Sequence, residues 1–149
     1  MTFYRTLLSD ASRDLYLDNT IARFRVGLPK PVELLNCAWD VGLCELDYHT
    51  PESEKELQPI FVNCDLIGPQ MVGDTLARCL RTVQYPSLDG HHIFDKMYYV
   101  PLEKMNFHTL AIEVLTNLGA LVPFPDSAKP LVAVLHFHRR SHRIKIHGL

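Results

Sequence analysis

Apolar and polar side chains alternate with a period of two along most of this chain, and that alternation constrains its fold more than any other feature. The clearest case is residues 131–138, where one face carries only apolar side chains and the other carries two histidines. The first face consists of Leu131, Ala133, Leu135 and Phe137, and the second of Val132, Val134, His136 and His138. A period of two places alternate side chains on opposite faces of a β-sheet. Because no long amphipathic helical pattern accompanies it, the sequence predicts an all-β protein.

Turn residues divide the chain into eight or nine short strands. The predicted strands are residues 3–8, 20–28, 38–48, 60–67, 75–84, 93–102, 109–115 and 131–138. Pro29 and Pro31 should end the second strand, because proline has no N–H for the ladder. Residues 75–84 also fit helical spacing behind Asp74, a residue suited to cap a helix. The sequence therefore predicts an antiparallel β-sandwich of about eight strands in two sheets, because this fold buries one face of each strand and leaves few strand edges free.

Turns and one loop separate these strands. Asp89-Gly90 is a hairpin signal, residues 117–119 are a second turn, and residues 50–59 form an acidic, polar loop. The four cysteines, Cys37, Cys44, Cys64 and Cys79, contain no Cys-x-x-Cys pair, so we expect reduced, structural thiols.

Length and composition indicate one domain. The chain has 149 residues, of which 47% are hydrophobic and 21% charged, as in ordinary globular domains. No apolar stretch approaches the ~20 residues that a membrane-spanning helix needs, and charged residues interrupt the N-terminus. We therefore expect neither a membrane association nor a secretion signal.

The charges are unevenly distributed. The net charge is −2, yet residues 139–149 contain four basic residues and no acid, namely Arg139, Arg140, Arg143 and Lys145. This pattern predicts a domain over residues 1–138 followed by a basic C-terminal tail over 139–149. Four cations give at most a weak, salt-sensitive contact with nucleic-acid phosphates or an acidic partner. A solvated, disordered terminus is the alternative interpretation.

Motifs for catalysis are missing from the sequence. It contains no Gly-x-Ser-x-Gly elbow, phosphate-binding glycine loop, His-Glu-x-x-His or dinucleotide fingerprint. The sequence therefore predicts no enzyme and no cofactor.

Eight histidines are the one unusual abundance. His136, His138 and the nearby His142 form one group, and His91 and His92 form another. A metal site would need such side chains to converge on one ion. The alternative, which we favour, is that His136 and His138 cover the solvent face of the last strand while His91 and His92 lie in a loop. The sequence therefore predicts no metal site.

The single tryptophan lies in the longest predicted strand. Trp39, Val41 and Leu43 share one face of that strand. A ligand platform is one interpretation, but a sole tryptophan in a sandwich is more often a core anchor. We predict that these three side chains belong to the core.

Several segments, taken in their order along the chain, resemble a known family. Residues 28–34 read LPKPVEL, 39–46 WDVGLCEL, 62–75 VNCDLIGPQMVGDT and 98–102 YYVPL. Shorter matches lie at residues 18–21, 80–83, 110–114, 119, 122–124 and 134–137. In order and spacing these segments resemble the minor capsid (penton) proteins of Polinton/Maverick elements and adintovirus-like viruses.

The resemblance implies a fold, a function and partners. The fold would be a single jelly roll, and the function would be structural, as a homopentamer at the five-fold vertices of an icosahedral virion. Its neighbour would be a double-jelly-roll major capsid protein. The basic tail lies beyond the matching segments, so the resemblance assigns it no role.

Two alternatives stay open. The chain could be a host-domesticated jelly-roll assembly protein, or a sugar- or metal-binding β-sandwich that uses His91, His92, His136 and His138.

Overall fold

The computed structural model describes residues 2–34, 38–49, 59–84, 90–125 and 128–140. Within these ranges the chain is all-β and contains no helix, as the alternation predicts. The strands are β1 (Thr2–Leu8), β2 (Arg23–Glu33), β3 (Trp39–Asp47), β4 (Ile60–Cys64), β5 (Gln70–Val72), β6 (Thr75–Ala77), β7 (Cys79–Val83), β8 (His91–Ile93), β9 (Val100–Pro101), β10 (Asn106–Thr116) and β11 (Val132–Arg139).

Two antiparallel sheets contain most of these strands. Sheet A has the order β1-β11-β3-β8, with β9 also paired to β3, and sheet B has the order β2-β10-β4-β7. The hairpin β5-β6 belongs to neither sheet. The pairings are nested along the chain, because β1 pairs with β11, β2 with β10, β3 with β8 and β9, and β4 with β7.

One apolar core joins the inward faces of both sheets, an arrangement compatible with a β-sandwich. Most strands contribute every second residue, as a period of two requires, and β3 changes phase between Leu43 and Leu46, where its register against β11 shifts. The most buried side chains are Leu43, Leu46, Leu135 and Phe137 from sheet A, and Val62, Leu110, Ile112 and Val114 from sheet B. This core fixes which side chains remain outside on each face.

The predicted end of β2 is wrong. The strand continues through Pro29 and Pro31 to Glu33, rather than ending at residue 28. The register against β10 shifts here, since Gly27 pairs with Thr109 while Val32 pairs with Phe107. The prolines are tolerated because β2 is an edge strand and this stretch bulges away from the ladder.

Two further segments differ from their predictions. Residues 75–84 form neither one strand nor a helix, but two strands, β6 and β7, separated at Arg78. The predicted strand over 93–102 reduces to the end of β8 and the two-residue β9. The intervening residues 94–99 instead cross the outside of sheet A, which brings Met97 and Tyr98 against Gly42.

Turn predictions have mixed outcomes. Gly119 has a φ of 83°, and its N–H donates to the Thr116 carbonyl at 3.0 Å, which confirms the turn at 117–119. Gly90 also has a left-handed φ, of 67°, but Asp89 lies outside the described residues. The predicted loop at 50–59 lies outside them as well, apart from Pro59.

Candidate functional sites

The inward face of β3 carries the three side chains predicted as core. Trp39 is 4% exposed, and Val41 and Leu43 are fully buried. The Trp39 ring lies 5.6 Å from the ring of Phe3, which in turn stacks on Phe137 at 4.7 Å. Trp39 therefore ties β1, β3 and β11 together inside the core and does not line a ligand platform.

His136 and His138 lie on the outer face of sheet A, opposite Gly42 and Asp40 of β3. The Tyr99 hydroxyl oxygen lies 2.6 Å from Nδ1 of His136. Tyr4, directly opposite on β1, stacks its ring on the imidazole of His136 at 4.5 Å. We call Tyr4, Tyr99, His136 and His138 the aromatic–imidazole cluster.

Burial shifts the pKa of two members of this cluster, His136 and Tyr99. His136 is only 9% exposed, so desolvation lowers its pKa below the usual value, and the neighbouring His138 lowers it further. Desolvation also raises the pKa of Tyr99. A neutral His136 with its proton on Nε2 accepts a hydrogen bond from the Tyr99 hydroxyl. Protonation of His136 would reverse that donor relationship.

The other histidine pair was predicted in a loop, which is wrong: His91 and His92 lie in β8, at the opposite end of β3. His91 pairs with Asp47 and His92 with Leu46, whereas His138 pairs with Asp40. The nearest members are His136, opposite Gly42, and His92, whose partner lies four residues further along β3. At about 3.3 Å per residue, this is a separation of about 13 Å along the strand. The two pairs therefore do not meet.

His92 makes aromatic contacts at its end of β3. Its Nε2 lies 3.2 Å from the Tyr48 hydroxyl, and its ring stacks on Phe94. Burial lowers the pKa of His92, and the adjacent His91 adds to the effect. Burial also raises the pKa of Tyr48 to about 12. Throughout the described part of the chain, no three metal-ligating side chains come together, and His142 lies outside that part.

Only two of the four basic residues predicted as a contact site are described. Arg139 ends β11 and is exposed, and the backbone N–H of Arg140 donates to the Ala38 carbonyl at 2.9 Å. Nε of Arg140 lies 2.9 Å from a carboxylate oxygen of Asp40. Arg143 and Lys145 lie outside the described residues. β11 thus extends one residue beyond the predicted domain boundary at 138, and an acid of β3 partly neutralises Arg140.

A cleft of about 920 Å³ lies along the outer face of sheet B. Its charged lining balances in sign, consisting of Arg23, Arg25 and Arg78 against Asp18, Asp65 and Glu113. Two of these pairs are closed already: Arg23 lies 3.0 Å from Glu113, and Arg25 lies 3.8 Å from Asp65. Because its charges neutralise one another, the cleft has no excess of either sign with which to attract an ion.

Residues 9–22 cover the free edge of β2. The Asn19 side chain exchanges two hydrogen bonds of 2.9 Å with the backbone of Arg25, and Ser12 Oγ accepts the Gly27 N–H at 3.0 Å. These bonds use the backbone groups that an edge strand would otherwise expose. Leu15 and Leu17, in the same segment, remain 72% and 86% exposed.

Arg81 of β7 was not predicted from the sequence. Its guanidinium carbon lies 3.8 Å from the ring centre of Phe94 and 4.5 Å from that of Tyr98. Nη1 donates to the Lys96 carbonyl at 2.8 Å, whereas Nε is buried without a partner among the described residues. Burial lowers the pKa of Arg81. No periodic signal marks such a site, because its aromatic residues come from the segment between β8 and β9, whereas Arg81 belongs to the other sheet.

The cysteines are free where they are described. Cys64 and Cys79 are buried, and burial raises the pKa of Cys64 to about 12. Cys44 is half-buried, and its thiol donates to the Val134 carbonyl at 3.3 Å. Thiols in such surroundings resist ionisation and are poor nucleophiles. Cys37 lies outside the described residues.

Comparison with known protein families finds no family model that matches the chain, and comparison with curated proteins finds no matching relative. In the described ranges, no helix has the length and apolarity to cross a membrane.

Proposed function

We propose that this chain is a structural minor capsid protein, a penton that forms homopentamers at the five-fold vertices of an icosahedral virion. The proposal rests on two observations. Short segments of the sequence resemble Polinton/Maverick and adintovirus-like pentons in order and spacing, and the strand order of the fold agrees with that resemblance. In that setting its neighbour is a double-jelly-roll major capsid protein. A host-domesticated assembly protein would use the same geometry without the virus.

The nested strand pairing is the observation that carries the proposal. If a long hairpin is rolled up, its first strand pairs with its last, its second with the next to last, and so on inward. The pairs β1–β11, β2–β10, β3–β8 and β4–β7 follow this order and divide alternately between the two sheets. Eight strand positions in two sheets with this winding support a single jelly roll, the architecture that capsid proteins share.

A five-membered ring needs two different surfaces on each subunit, because its contacts are heterologous and close after five rotations of one fifth of a turn. The two sides of the fold differ in this way. One side ends in β1 and β2 and the covering residues 9–22, and the other ends in β7, β8 and residues 94–99. Each subunit in a ring is held at two contacts, so weak individual contacts suffice.

The mass of the purified full chain in solution tests the proposal. Native mass spectrometry and light scattering should find about 86 kDa, five copies of the 17.1 kDa chain. Negative-stain class averages should show five-fold rings. A 17.1 kDa species at every concentration, both alone and mixed with a double-jelly-roll major capsid protein, would refute the proposal.

The basic tail provides a second, separable test. We propose that it lies on the capsid interior and contacts genome phosphates weakly. Since Arg140 pairs with Asp40, most of the free tail charge rests on Arg139, Arg143 and Lys145. Removal of residues 141–149 should lower salt-dependent nucleic-acid binding by the pentamer without changing its mass. Unchanged binding would rule out the genome contact.

A further inference from the structure

We infer that Arg81, held between Phe94 and Tyr98, docks against the acidic segment 10–18 of a second copy of this chain, and that this contact is the repeating interface of the ring. The inference rests on the proposed pentamer and specifies the two surfaces that would form it. It depends on the position, exposure and charge of both surfaces.

The first surface is a half-buried cation that no described carboxylate neutralises. Arg81 makes no ion pair with any carboxylate of the described residues. Its Nε is buried and has no partner among those residues, so the proposed contact rests on the charge of Arg81 and not on this atom. The two rings hold the planar guanidinium in a fixed orientation, which leaves less side-chain entropy to lose when a carboxylate binds. Lys96 adds a second cation, and Asp95 is the one acid of the segment 94–99. The net charge of this surface is therefore +1.

Apolar side chains surround this cation. Ile93, the last residue of β8, is 64% exposed, and Tyr98, in the segment 94–99, is 51% exposed. Large exposed apolar groups that flank a desolvated arginine are typical of protein interfaces, where arginine and aromatic residues provide most of the binding energy.

The second surface carries the opposite charge and lies on the other side of the fold. Asp10, Asp14 and Asp18 are all exposed, and Arg13 is the one base among residues 10–18, so the segment has a net charge of −2. Leu15 and Leu17, between Asp14 and Asp18, add exposed apolar groups to this side. The segment is held in place by the bonds from Ser12 and Asn19 to β2.

The relative position of the two surfaces identifies the occupant. β1 and β8 are opposite edges of sheet A, and β2 and β7 are opposite edges of sheet B. One chain therefore presents an acidic, leucine-bearing side and a cationic, aromatic side that face away from each other. Complementary surfaces on opposite sides of one molecule suit head-to-tail association of identical copies, which closes into a ring. A second copy of this chain thus fits both surfaces at once.

Charge exchange in the full-length chain tests the inference. We expect Arg81→Glu, or the combination Asp10→Lys, Asp14→Lys and Asp18→Lys, to shift the 86 kDa species to 17.1 kDa at concentrations at which the wild type is assembled. All four changes in one chain restore opposite charges at every interface and should recover most of the assembly. Arg139→Glu makes the same charge change as Arg81→Glu at an exposed position of the central strand β11 and should leave the mass unchanged.

The odd number of subunits in a pentamer allows a sharper version of this test. A one-to-one mixture of the two charge variants can match charges only where the two kinds of subunit alternate. A ring of five cannot alternate throughout and keeps at least one interface between like charges. The mixture should therefore assemble less well than the chain that carries all four changes, whereas a two-fold dimer would be restored equally by both.

The outcomes separate this inference from the proposed function. A wild type that never assembles refutes the penton proposal. A wild type that forms 86 kDa rings, with charge variants that assemble equally well, overturns the interface and leaves the penton proposal standing. Arg81→Met, which keeps an unbranched apolar side chain at this position but removes the charge, guards against misfolding. If Arg81→Met melts like the wild type yet assembles poorly, the lost charge is responsible, whereas unimpaired assembly of Arg81→Met contradicts the inference.

Discussion

The outer faces of the two sheets differ in chemistry although the sheets share one core. On sheet B, cross-strand ion pairs cover the surface, since Arg23 contacts Glu113 and both Arg25 and Lys104 approach Asp65. On sheet A the corresponding surface is the aromatic–imidazole cluster, whose centre is the buried His136. One face is thus held by ion pairs, and the other by aromatic rings around a histidine whose pKa is lowered by burial.

The difference shows that strand alternation specifies the inside of the molecule and leaves the outside free to vary. Inward positions of both sheets carry interchangeable aliphatic and aromatic residues. The outward positions differ because separate segments cross them, residues 94–99 over sheet A and residues 9–22 over the edge of sheet B. The following predictions test how far this contrast extends, from the largest expected effect to the smallest.

Removal of one large side chain from the shared core should destabilise both sheets equally. Trp39→Ala is expected to lower the free energy of unfolding by about 3–5 kcal/mol, because it deletes a large side chain that packs on Phe3. Hydrogen exchange should show loss of protection in β3 and β10 together. Leu118→Ala, at a position 88% exposed, is the control and should change little. Loss of protection in sheet A alone would mean that the sheets are not one cooperative unit.

Substitution of one glycine in each sheet tests how closely neighbouring segments pack against that sheet. A Cβ on Gly42 would lie 2.9 Å from the Tyr98 carbonyl oxygen and 2.9 Å from Met97 Cε, whereas one on Gly27 would meet Leu15 at an ordinary 3.5 Å. Gly42→Ala should therefore destabilise by about 1–3 kcal/mol, since backbone must move. Gly27→Ala should be neutral or slightly stabilising. Chemical denaturation of both variants checks this, and equal effects would contradict the close covering of sheet A.

The pH dependence of stability should come partly from sheet A. Because the folded pKa of His136 is lowered, the unfolded chain binds more protons, so stability is complete above about pH 6.5 and falls as pH decreases towards the folded pKa. His136→Asn should reduce the loss of melting temperature between about pH 7 and pH 5. The pKa of His92 is also lowered, so the His136→Asn variant should keep part of the pH dependence of stability.

The matched control for this titration lies in the other sheet. His108→Asn replaces an exposed histidine of β10 and should leave the pH dependence as it is in the wild type. A His136→Asn variant with the full wild-type slope would show that the aromatic–imidazole cluster does not control it.

The ion pairs of sheet B should have the smallest effect. The side chains of Arg23 and Glu113 are 63% and 36% exposed, so water and salt screen their attraction. Arg23→Met should change the free energy of unfolding by less than about 1 kcal/mol. A double-mutant cycle with Glu113→Gln at low and high salt measures the pair, and a coupling well above 1 kcal/mol would give this face a larger role than its exposure implies.

Much of the fold follows from the sequence. The alternation in residues 131–138 correctly predicts which side chains of β11 face the core, and Trp39, Val41 and Leu43 lie in that core. The prediction from alternation succeeds because burial of one strand face depends only on the order of side chains along the backbone. The jelly-roll topology and the capsid function stay predictions.

Other features were mispredicted for a common physical reason. Pro29 and Pro31 remain in β2 because that strand lies at an edge, which local sequence does not reveal. Phe94 still donates its N–H to the Cys44 carbonyl of β3, but the following residues leave the sheet and pass over Gly42 before β9 begins. Both outcomes depend on neighbours that are far away in sequence.

The candidate sites divide along the same line. His136 and His138 could be placed on a common face from their spacing alone, whereas the burial of His136 required Tyr4 and Tyr99 from other strands. Arg81 gave no signal at all, since Phe94 and Tyr98 reach it from the segment between β8 and β9.

The order of residues by itself determined that this chain forms strands and which side of each strand is apolar, since both are properties of a local period. Only the tertiary structure decided which strands lie at edges, which polar groups lose water and where a charge is left without a partner. Those outcomes arise when segments distant in the chain pack against one another, and side-chain burial and dielectric surroundings have no values until that packing exists.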